Sequence, residues 1–457
     1  MVVMARLLMP VEFGLVGMVT AVTGVLGLFK DAGLTLFTVQ RSAISDEQVS
    51  TLFWINITVG VILGGLSIAV APFLVSFYRE PRLFWITLAL GTGFIFNAAG
   101  AQHQALLQRH MRYVAISLVE ILSLLVSIAV GISMAVYGLG YWALVGMAVS
   151  APATAAIFVW LVTDWVPGWP QRKVGIRSML DFGSTVTLNG LVTYLTYNAD
   201  KILLGRLMGA ETLGVYGRAY QLINLPTEQL NSAIGLVAYP ALSRLQDDPK
   251  RFRSYFLKGY SMVLALTIPI IITCALFAEN IIIVLLGPRW KDAANIFRLL
   301  APTVLAFALI NPFGWFLYSS GRARRSLNIS LVLAPVVIVG YITGLRYGAE
   351  GVALGFSAAM TLMIGPTIAW AKHGTPISFR DIYQAVIPAF LSGVVAAVLT
   401  FLFQYYLMHD KSPFTRLISG CSVLFTVYIV ILFYVMKQKQ TYVDLIKQLR
   451  NSSSIDK

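Results

Sequence analysis

The chain has 457 residues, of which 58% are hydrophobic and 12% are charged, and its mean hydropathy is +0.77. A water-soluble protein of this length carries about twice that charged fraction, so the composition favours a polytopic α-helical membrane protein over one very large soluble helical core. The net charge of +14 does not indicate nucleic acid, because the cations lie in short loops between apolar runs. There they set topology and contact anionic membrane lipids.

Thirteen apolar runs are long enough, at about 20 residues each, to cross a ~30 Å hydrocarbon core as helices. They fall near residues 13–36, 49–77, 83–105, 113–136, 141–162, 179–204, 214–238, 256–278, 294–319, 327–346, 351–371, 382–407 and 414–436. The fold class predicted is therefore an all-α membrane protein.

Lysine and arginine are unequally divided between alternate loops. One set of loops, together with the C-terminal tail, holds about 22 of these residues, and the other set holds about 10. Because short cytoplasmic loops carry the excess of cations, the richer side is predicted to be cytoplasmic. The C-terminus is then inside and Met1 falls on the outer side.

A short motif occurs twice in the chain. The first copy is ARLLMPVEFGLVG at 5–17, and the second is GRLMGAETLGVYG at 205–217. Two further pairs lie at similar offsets, 108–119 with 321–332 and 137–144 with 347–354. Near-constant spacing favours duplication of one unit over chance similarity of small residues at helix ends.

The duplication predicts two parallel six-helix lobes, because six spans separate the copies and both copies then lie on the same outer face. The N-terminal lobe covers residues 1–165 and the C-terminal lobe covers 175–375. Two extra spans at 380–436 and a cytoplasmic tail at 437–457 follow. The second copy of the motif follows a full span at 179–204, whereas only four residues precede the first. We therefore expect that most of a first transmembrane helix is missing; otherwise the native protein starts here with thirteen spans.

Three stretches carry a resemblance to a known family: ARLLMPVEFGLVGMVTAVTGVLGLFKDAGL (5–34), NADKILLGRLMGAETLGVYGRAYQL (198–222) and NPFGWFLYSSGRARRS (311–326). They resemble the Wzx-type polysaccharide exporters of the multidrug/oligosaccharidyl-lipid/polysaccharide (MOP) superfamily, in the group that includes the colanic acid exporter. The resemblance implies fourteen helices and outward translocation of a lipid-linked oligosaccharide across a bacterial inner membrane, with polysaccharide polymerase machinery as a possible partner.

The cargo so implied carries a diphosphate, which needs cations and water to pass a low-dielectric core. The cations nearest the membrane interior are Arg218, Arg206, Lys201 and Lys30, and these are the candidate substrate-binding residues. Arginine suits phosphate because its planar fork donates two hydrogen bonds at once. For Arg218 the alternatives are an ion pair with Asp200 or extension of the side chain to the outer interface.

Three acidic residues are candidates for coupling transport to an ion, namely Asp200, Glu120 and Asp31, because acids within a membrane often bind protons or sodium. The alternative for Asp200, slightly preferred, is an ion pair with Arg218 or Arg206. Glu120 has apolar sequence on both sides, and its alternative is an ion pair with a basic residue such as Arg112. Asp31 with Lys30 forms either a gate pair or an ordinary pair at a helix end.

The sequence predicts no catalytic residues, no cofactor and no metal site. It contains no Walker lysine motif, its two cysteines lie in apolar runs, and its four histidines are scattered. The outer loops are short and carry no paired carboxylates, which disfavours a membrane-embedded polymerase or ligase. Within the transporter class, a multidrug exporter and a peptidoglycan-precursor exporter remain alternatives.

Overall fold

The computed structural model describes residues 2–30, 34–40, 44–170, 177–408, 410–440 and 442. All regular secondary structure in these ranges is helical, which confirms the predicted fold class. The chain divides into two compact units, Met1–Gly217 and Arg218–Lys457. The lobe boundaries predicted from the repeat stay a prediction.

The helices of the first unit are α1 (Val2–Leu7), α2 (Pro10–Gly27), α3 (Leu34–Gln40), α4 (Asp46–Tyr78), α5 (Leu83–Arg109), α6 (Tyr113–Val136) and α7 (Tyr141–Val162). Helix α8 (Arg177–Arg244) begins in the first unit and ends in the second. The second unit continues with α9 (Pro249–Leu276), α10 (Ala278–Leu285), α11 (Ala293–Ser319), α12 (Ala323–Gly344), α13 (Gly348–Lys372), α14 (Phe379–Leu407) and α15 (Pro413–Val430).

Ten segments in the described part of the chain are long and apolar enough to cross a membrane, and one of them, Ala323–Lys372, contains both α12 and α13. The total of thirteen spans stays a prediction. Most ends of the predicted spans lie within a few residues of an observed helix end, and the spans predicted at 113–136 and 141–162 coincide with α6 and α7. The run at 13–36 is different, because α2 ends at Gly27 and the separate short helix α3 begins at Leu34.

The helix ends are set by local capping. Ser45 accepts a hydrogen bond from the backbone N–H of Gln48 at 3.3 Å and so satisfies one of the free donors at the start of α4. Ser378 does the same for Asp381 at the start of α14, at 3.2 Å. At the other end of α4, Arg79 takes a left-handed conformation that stops the helix.

The duplicated motif is a break between two helices. In the first copy Met9 is extended (φ −87°, ψ 155°) between α1 and α2. In the second copy Gly209, which aligns with Met9, interrupts α8 with φ 83° and ψ 179°. That backbone conformation favours glycine because a Cβ would be strained there. The same break at aligned positions is what the duplication predicts.

The two aligned arginines Arg112 and Arg325 also make equivalent contacts. Arg112 donates from Nη1 to the carbonyl of Val162 at the end of α7, at 3.3 Å. Arg325 donates from Nη1 to the carbonyl of His373 just after α13, at 2.5 Å. Each arginine satisfies a carbonyl at a helix C-terminus, where no partner exists within the helix.

Candidate functional site

One face of α5 is polar although the helix lies in an apolar bundle. Asn97, Ala101, Gln104 and Gln108 follow one another at intervals of three or four residues, so they lie on a single side of the helix. The three amide side chains are exposed, whereas Ala105, Leu106 and Leu107 between them are buried. Amides at membrane depth need water or polar partners, and we call these four residues the α5 polar face.

Two neighbouring cavities border the α5 polar face. The first, of about 230 Å³, is lined by all four of its residues together with Lys30 and Thr35. The second, of about 60 Å³, is lined by Glu120 of α6 and again by Asn97 and Gln104. The structure therefore places two predicted site residues, Lys30 and Glu120, beside the same polar stripe. Sequence reasoning missed the α5 polar face itself, although the spacing of its amides could have indicated it.

The alternative interpretation of Glu120, an ion pair with Arg112, was wrong. Arg112 is engaged with the carbonyl of Val162, and Glu120 forms no ion pair with any residue that the structure describes. Its exposed carboxylate is thus available to the smaller cavity. Asp31, the predicted partner of Lys30, lies outside the described residues.

Asp200 is fully buried near the end of the first half of α8. The Tyr216 hydroxyl donates to Oδ2 of Asp200 at 2.7 Å, and the backbone N–H of Lys201 donates to Oδ1 at 2.8 Å. Within the described chain these are the partners of the carboxylate, so the preferred interpretation of an ion pair with an arginine was wrong. The Tyr216 bond joins the two halves of α8 across the break at Gly209, and sequence reasoning did not single out Tyr216.

The remaining predicted substrate contacts lie on α8 at different positions. The Lys201 ammonium donates to Oδ1 of Asn198 at 2.7 Å. The Arg206 guanidinium lies over the ring of Phe77, 5.6 Å from its centroid, which is a cation–π arrangement. Arg218 is partly buried at the start of the second unit. Lys30 is the exception, because it lines the larger of the two cavities beside the α5 polar face.

Helices α2 and α8 approach each other closely through the duplicated motif. A Cβ built on Gly14 would lie 1.7 Å from the carbonyl oxygen of Ala210, and one on Gly214 would lie 1.8 Å from that of Pro10. The two contacts are equivalent by the repeat, since Gly14 aligns with Gly214 and Pro10 aligns with Ala210; each glycine packs on the backbone of the other copy. We call this pair of backbone contacts the α2–α8 contact.

The α2–α8 contact extends along α2 through Tyr194. Its hydroxyl donates to the carbonyls of Thr20 at 2.9 Å and Ala21 at 3.2 Å. The small residues of the motif therefore permit a close helix crossing, and the tyrosine holds the next turns of α2 against the first half of α8.

Outside the spans, the turn between α4 and α5 contains a two-bond ion pair. Arg82 donates from Nε and Nη2 to the two carboxylate oxygens of Glu80, both at 2.8 Å. These hydrogen bonds hold the pKa of the Glu80 carboxyl below its ordinary value. Since the pair is partly exposed, it contributes little to stability and chiefly fixes the turn.

Comparison with known proteins places the chain in a family. The model of a family described as "Polysaccharide biosynthesis protein" matches residues 3–295. The teichuronic acid biosynthesis protein TuaB of Bacillus subtilis (strain 168) is 30% identical over 373 residues, covering 75% of this chain and 77% of TuaB. The lipopolysaccharide biosynthesis protein WzxC of Escherichia coli (strain K12) is 26% identical over 371 residues, covering 78% of this chain and 73% of WzxC.

Solved structures share the fold. The lipid II flippase MurJ in an inward closed conformation superposes with a TM-score of 0.71 at 13% identity, covering 95% of this chain and 94% of that one. An inward-facing multidrug resistance MATE family transporter of the MOP superfamily gives 0.62 at 15% identity, covering 81% and 92%. The resemblance inferred from the sequence motifs is confirmed. Because the family model matches more than half of its residues, this multi-pass membrane protein belongs to the polysaccharide biosynthesis protein family.

Proposed function

We propose that this protein is a flippase that moves a polyprenyl-diphosphate-linked oligosaccharide outward across the bacterial inner membrane. The observation that carries the proposal is the α5 polar face, a row of exposed amide side chains beside a cavity in an apolar bundle of a polysaccharide biosynthesis protein. The amides of Asn97, Gln104 and Gln108 can both donate to and accept from sugar hydroxyls. The lipid tail would stay in the bilayer while the sugar crosses in water. In this role the protein is a transporter and not an enzyme.

The charged residues have separate roles in this proposal. Lys30, beside the α5 polar face, attracts the diphosphate at the start of transport. The cations of α8, which are Lys201, Arg206 and Arg218, bind the diphosphate later in its passage. Arg218 is the strongest candidate for direct phosphate binding because of its forked donor geometry and partial burial.

Glu120 is the better candidate of the two acids for ion coupling. Its carboxylate is exposed, forms no ion pair with a described residue and shares a small, largely apolar cavity with Asn97 and Gln104, so it is available to bind a proton or a sodium ion. Asp200 is fully buried and already accepts from Tyr216 and from its own helix. Asp200 therefore suits the maintenance of the α8 bend better than exchange of an ion with solvent.

Transport proceeds by alternating access of the two lobes near 1–165 and 175–375. The α2–α8 contact joins a segment of each, and the duplicated motif lies on the predicted outer face. With the contact formed, the outer end is closed; its separation opens that end for release of the sugar. The reciprocal geometry of Gly14 and Gly214 supports this, because tightly packed interfaces change between discrete arrangements and do not deform continuously.

The experiment that tests the function is accumulation of lipid-linked sugar on the inner leaflet of a strain lacking its own exporter. Expression of this protein should clear the accumulated intermediate, and reconstitution with defined lipid-linked sugars should reproduce the movement. Lipid II and a cationic drug serve as competing cargoes. Faster transport of either of these than of any oligosaccharide carrier would contradict the proposal.

The orientation that we propose has the C-terminus in the cytoplasm. A cysteine replacing Ser254, near the start of α9, should escape a membrane-impermeant reagent added from outside. A cysteine replacing Asp410, between α14 and α15, should react. The reverse pattern would overturn the orientation and the direction of transport inferred from it.

A further inference from the structure

Another cavity, distant in sequence from the two beside the α5 polar face, lies between the first turns of α9 and α14 in the second unit. Its volume is about 380 Å³, within the roughly 300–1,000 Å³ range of small-molecule sites. Its polar lining includes Lys250, Arg253, Ser254 and Lys258 of α9 with Asp381 and Gln384 of α14. The proposed transport function does not use any of these residues.

The acid in this cavity is already neutralised. Arg253 donates from Nε to Oδ2 of Asp381 at 2.9 Å and from Nη2 to Oδ1 at 2.5 Å. The backbone N–H of Ser378 also donates to Oδ2 of Asp381, at 2.8 Å. The ion pair links the two helices, and its carboxylate has little remaining capacity to accept bonds from a neighbouring ammonium group.

Once Arg253 and Asp381 are paired, two lysines give the cavity a net positive charge. Lys250, Ser254 and Lys258 are spaced four residues apart, so they form one stripe along α9. Neither lysine side chain forms an ion pair with a residue in the described ranges. Two ammonium groups and a hydroxyl thus face a cavity whose nearest acid is occupied.

The opposite walls add neutral hydrogen-bonding groups. Gln384 lies one turn after Asp381 on α14, and Gln438 follows α15. At the floor of the cavity the hydroxyls of Ser261 and Tyr442 lie 3.0 Å apart, which ties the start of the C-terminal segment to α9. Three separate parts of the chain therefore enclose a space that combines two cations with amide and hydroxyl groups.

From this geometry we infer that the cavity binds a phosphate-bearing anion. Phosphate offers several acceptor oxygens and at least one full negative charge, which match two ammonium groups, a serine hydroxyl and an amide. The cavity lies at the first turns of two helices that are long and apolar enough to cross a membrane, so phospholipid headgroups of a surrounding bilayer would lie near it; Leu257 and Ala385 give it an apolar side. A bound headgroup would bridge α9 and α14 in parallel with the Arg253–Asp381 pair.

The test measures the binding of defined probes to the purified full-length protein in a neutral detergent. The probes are phosphatidylglycerol, zwitterionic phosphatidylcholine and inorganic phosphate, and the readouts are retained lipid by native mass spectrometry and the shift in melting temperature. Phosphatidylglycerol should be retained and should raise the melting temperature more than phosphatidylcholine. A comparable rise with inorganic phosphate at equal concentration would identify a soluble phosphate compound as the ligand of the same site.

The variants decide whether the cavity is responsible. The double substitution Lys250→Gln and Lys258→Gln should weaken the binding of the effective probe at least tenfold, and Lys258→Glu should weaken it by a similar factor because it lowers the charge of the cavity by the same two units. Arg251→Gln is the matched control, because it removes a cation from the same turn of α9 that does not line the cavity. Equal binding by wild type and the double variant, or no binding of any probe, would overturn the inference. Since lipid-linked sugar is absent from this assay, its result is independent of the transport function.

Discussion

Substitution of Gly14 by alanine tests the role of the α2–α8 contact most directly. The added methyl carbon would lie 1.7 Å from the carbonyl oxygen of Ala210, 2.5 Å from its carbonyl carbon and 2.9 Å from its Cα. These are backbone atoms, so no side-chain rotation can relieve the overlap. A carbon–oxygen contact needs more than about 3 Å, so the two helices must separate by more than 1 Å or lose the contact.

Overpacking of this kind costs about 1–3 kcal/mol. If the contact is present only in the outwardly closed state, that cost shifts the equilibrium toward the open state roughly 5- to 150-fold. Gly214→Ala should behave in the same way, because its methyl group would lie 1.8 Å from the carbonyl oxygen of Pro10. Both variants should transport slowly, since a carrier that cannot close at one end cannot complete its cycle.

The assay is labelling of a cysteine introduced at Leu213, which is 2% exposed and packs beside Gly17 and Gly205 in this region. In a background without Cys274 and Cys421, the impermeant reagent should react slowly with the parent and at least fivefold faster after Gly14→Ala. The matched control is Gly217→Ala, which adds the same methyl group where no atom lies within 4 Å. Equal labelling and normal transport by Gly14→Ala would refute the reasoning.

Three further predictions concern single side chains. Arg218→Ala should reduce flipping about tenfold or more, because one charge-assisted contact to phosphate is worth about 1.5–3 kcal/mol; accumulation of lipid-linked sugar measures this. Tyr216→Phe should lower the melting temperature of the detergent-solubilised protein, because it leaves Oδ2 of the buried Asp200 without its hydroxyl donor. Glu120→Gln should flatten the pH dependence of transport measured in proteoliposomes, because the amide cannot exchange a proton.

Each of these predictions has its own control. Arg218→Lys should have an intermediate rate of flipping, since it keeps the positive charge and loses the planar guanidinium group that donates two hydrogen bonds. Tyr137→Phe changes a tyrosine that is 83% exposed and should leave the melting temperature unchanged. Glu211→Gln removes an exposed carboxylate that lines neither of the two cavities beside the α5 polar face, so it should keep the parental pH dependence of transport. Normal flipping by Arg218→Ala, equal melting of the two tyrosine variants, or an unchanged pH profile for Glu120→Gln would each reject the corresponding role.

The sequence alone determined the helices and most of their ends. The bounds of α6 and α7 follow from apolar length and from charged or glycine-containing turns, which are local properties of the chain. The repeat also indicated that positions near Met9 and Gly209 are equivalent, and both proved to be helix breaks. One run was misjudged, because the local turn after Gly27 interrupts an apolar stretch that hydropathy alone cannot divide.

Only the tertiary structure decided which side of each helix meets which neighbour. In a membrane both the lipid and the bundle interior are apolar, so hydropathy does not fix the rotation of a helix about its axis. The partners of Asp200 and Glu120 were misassigned for this reason, whereas the charges themselves were recognised. The α2–α8 contact depends on backbone atoms that are 196 residues apart in sequence (Gly14 and Ala210) and 204 residues apart (Pro10 and Gly214). The shared setting of Lys30 and Glu120 beside the α5 polar face likewise required the packed helices, because neither residue's sequence neighbours identify that stripe.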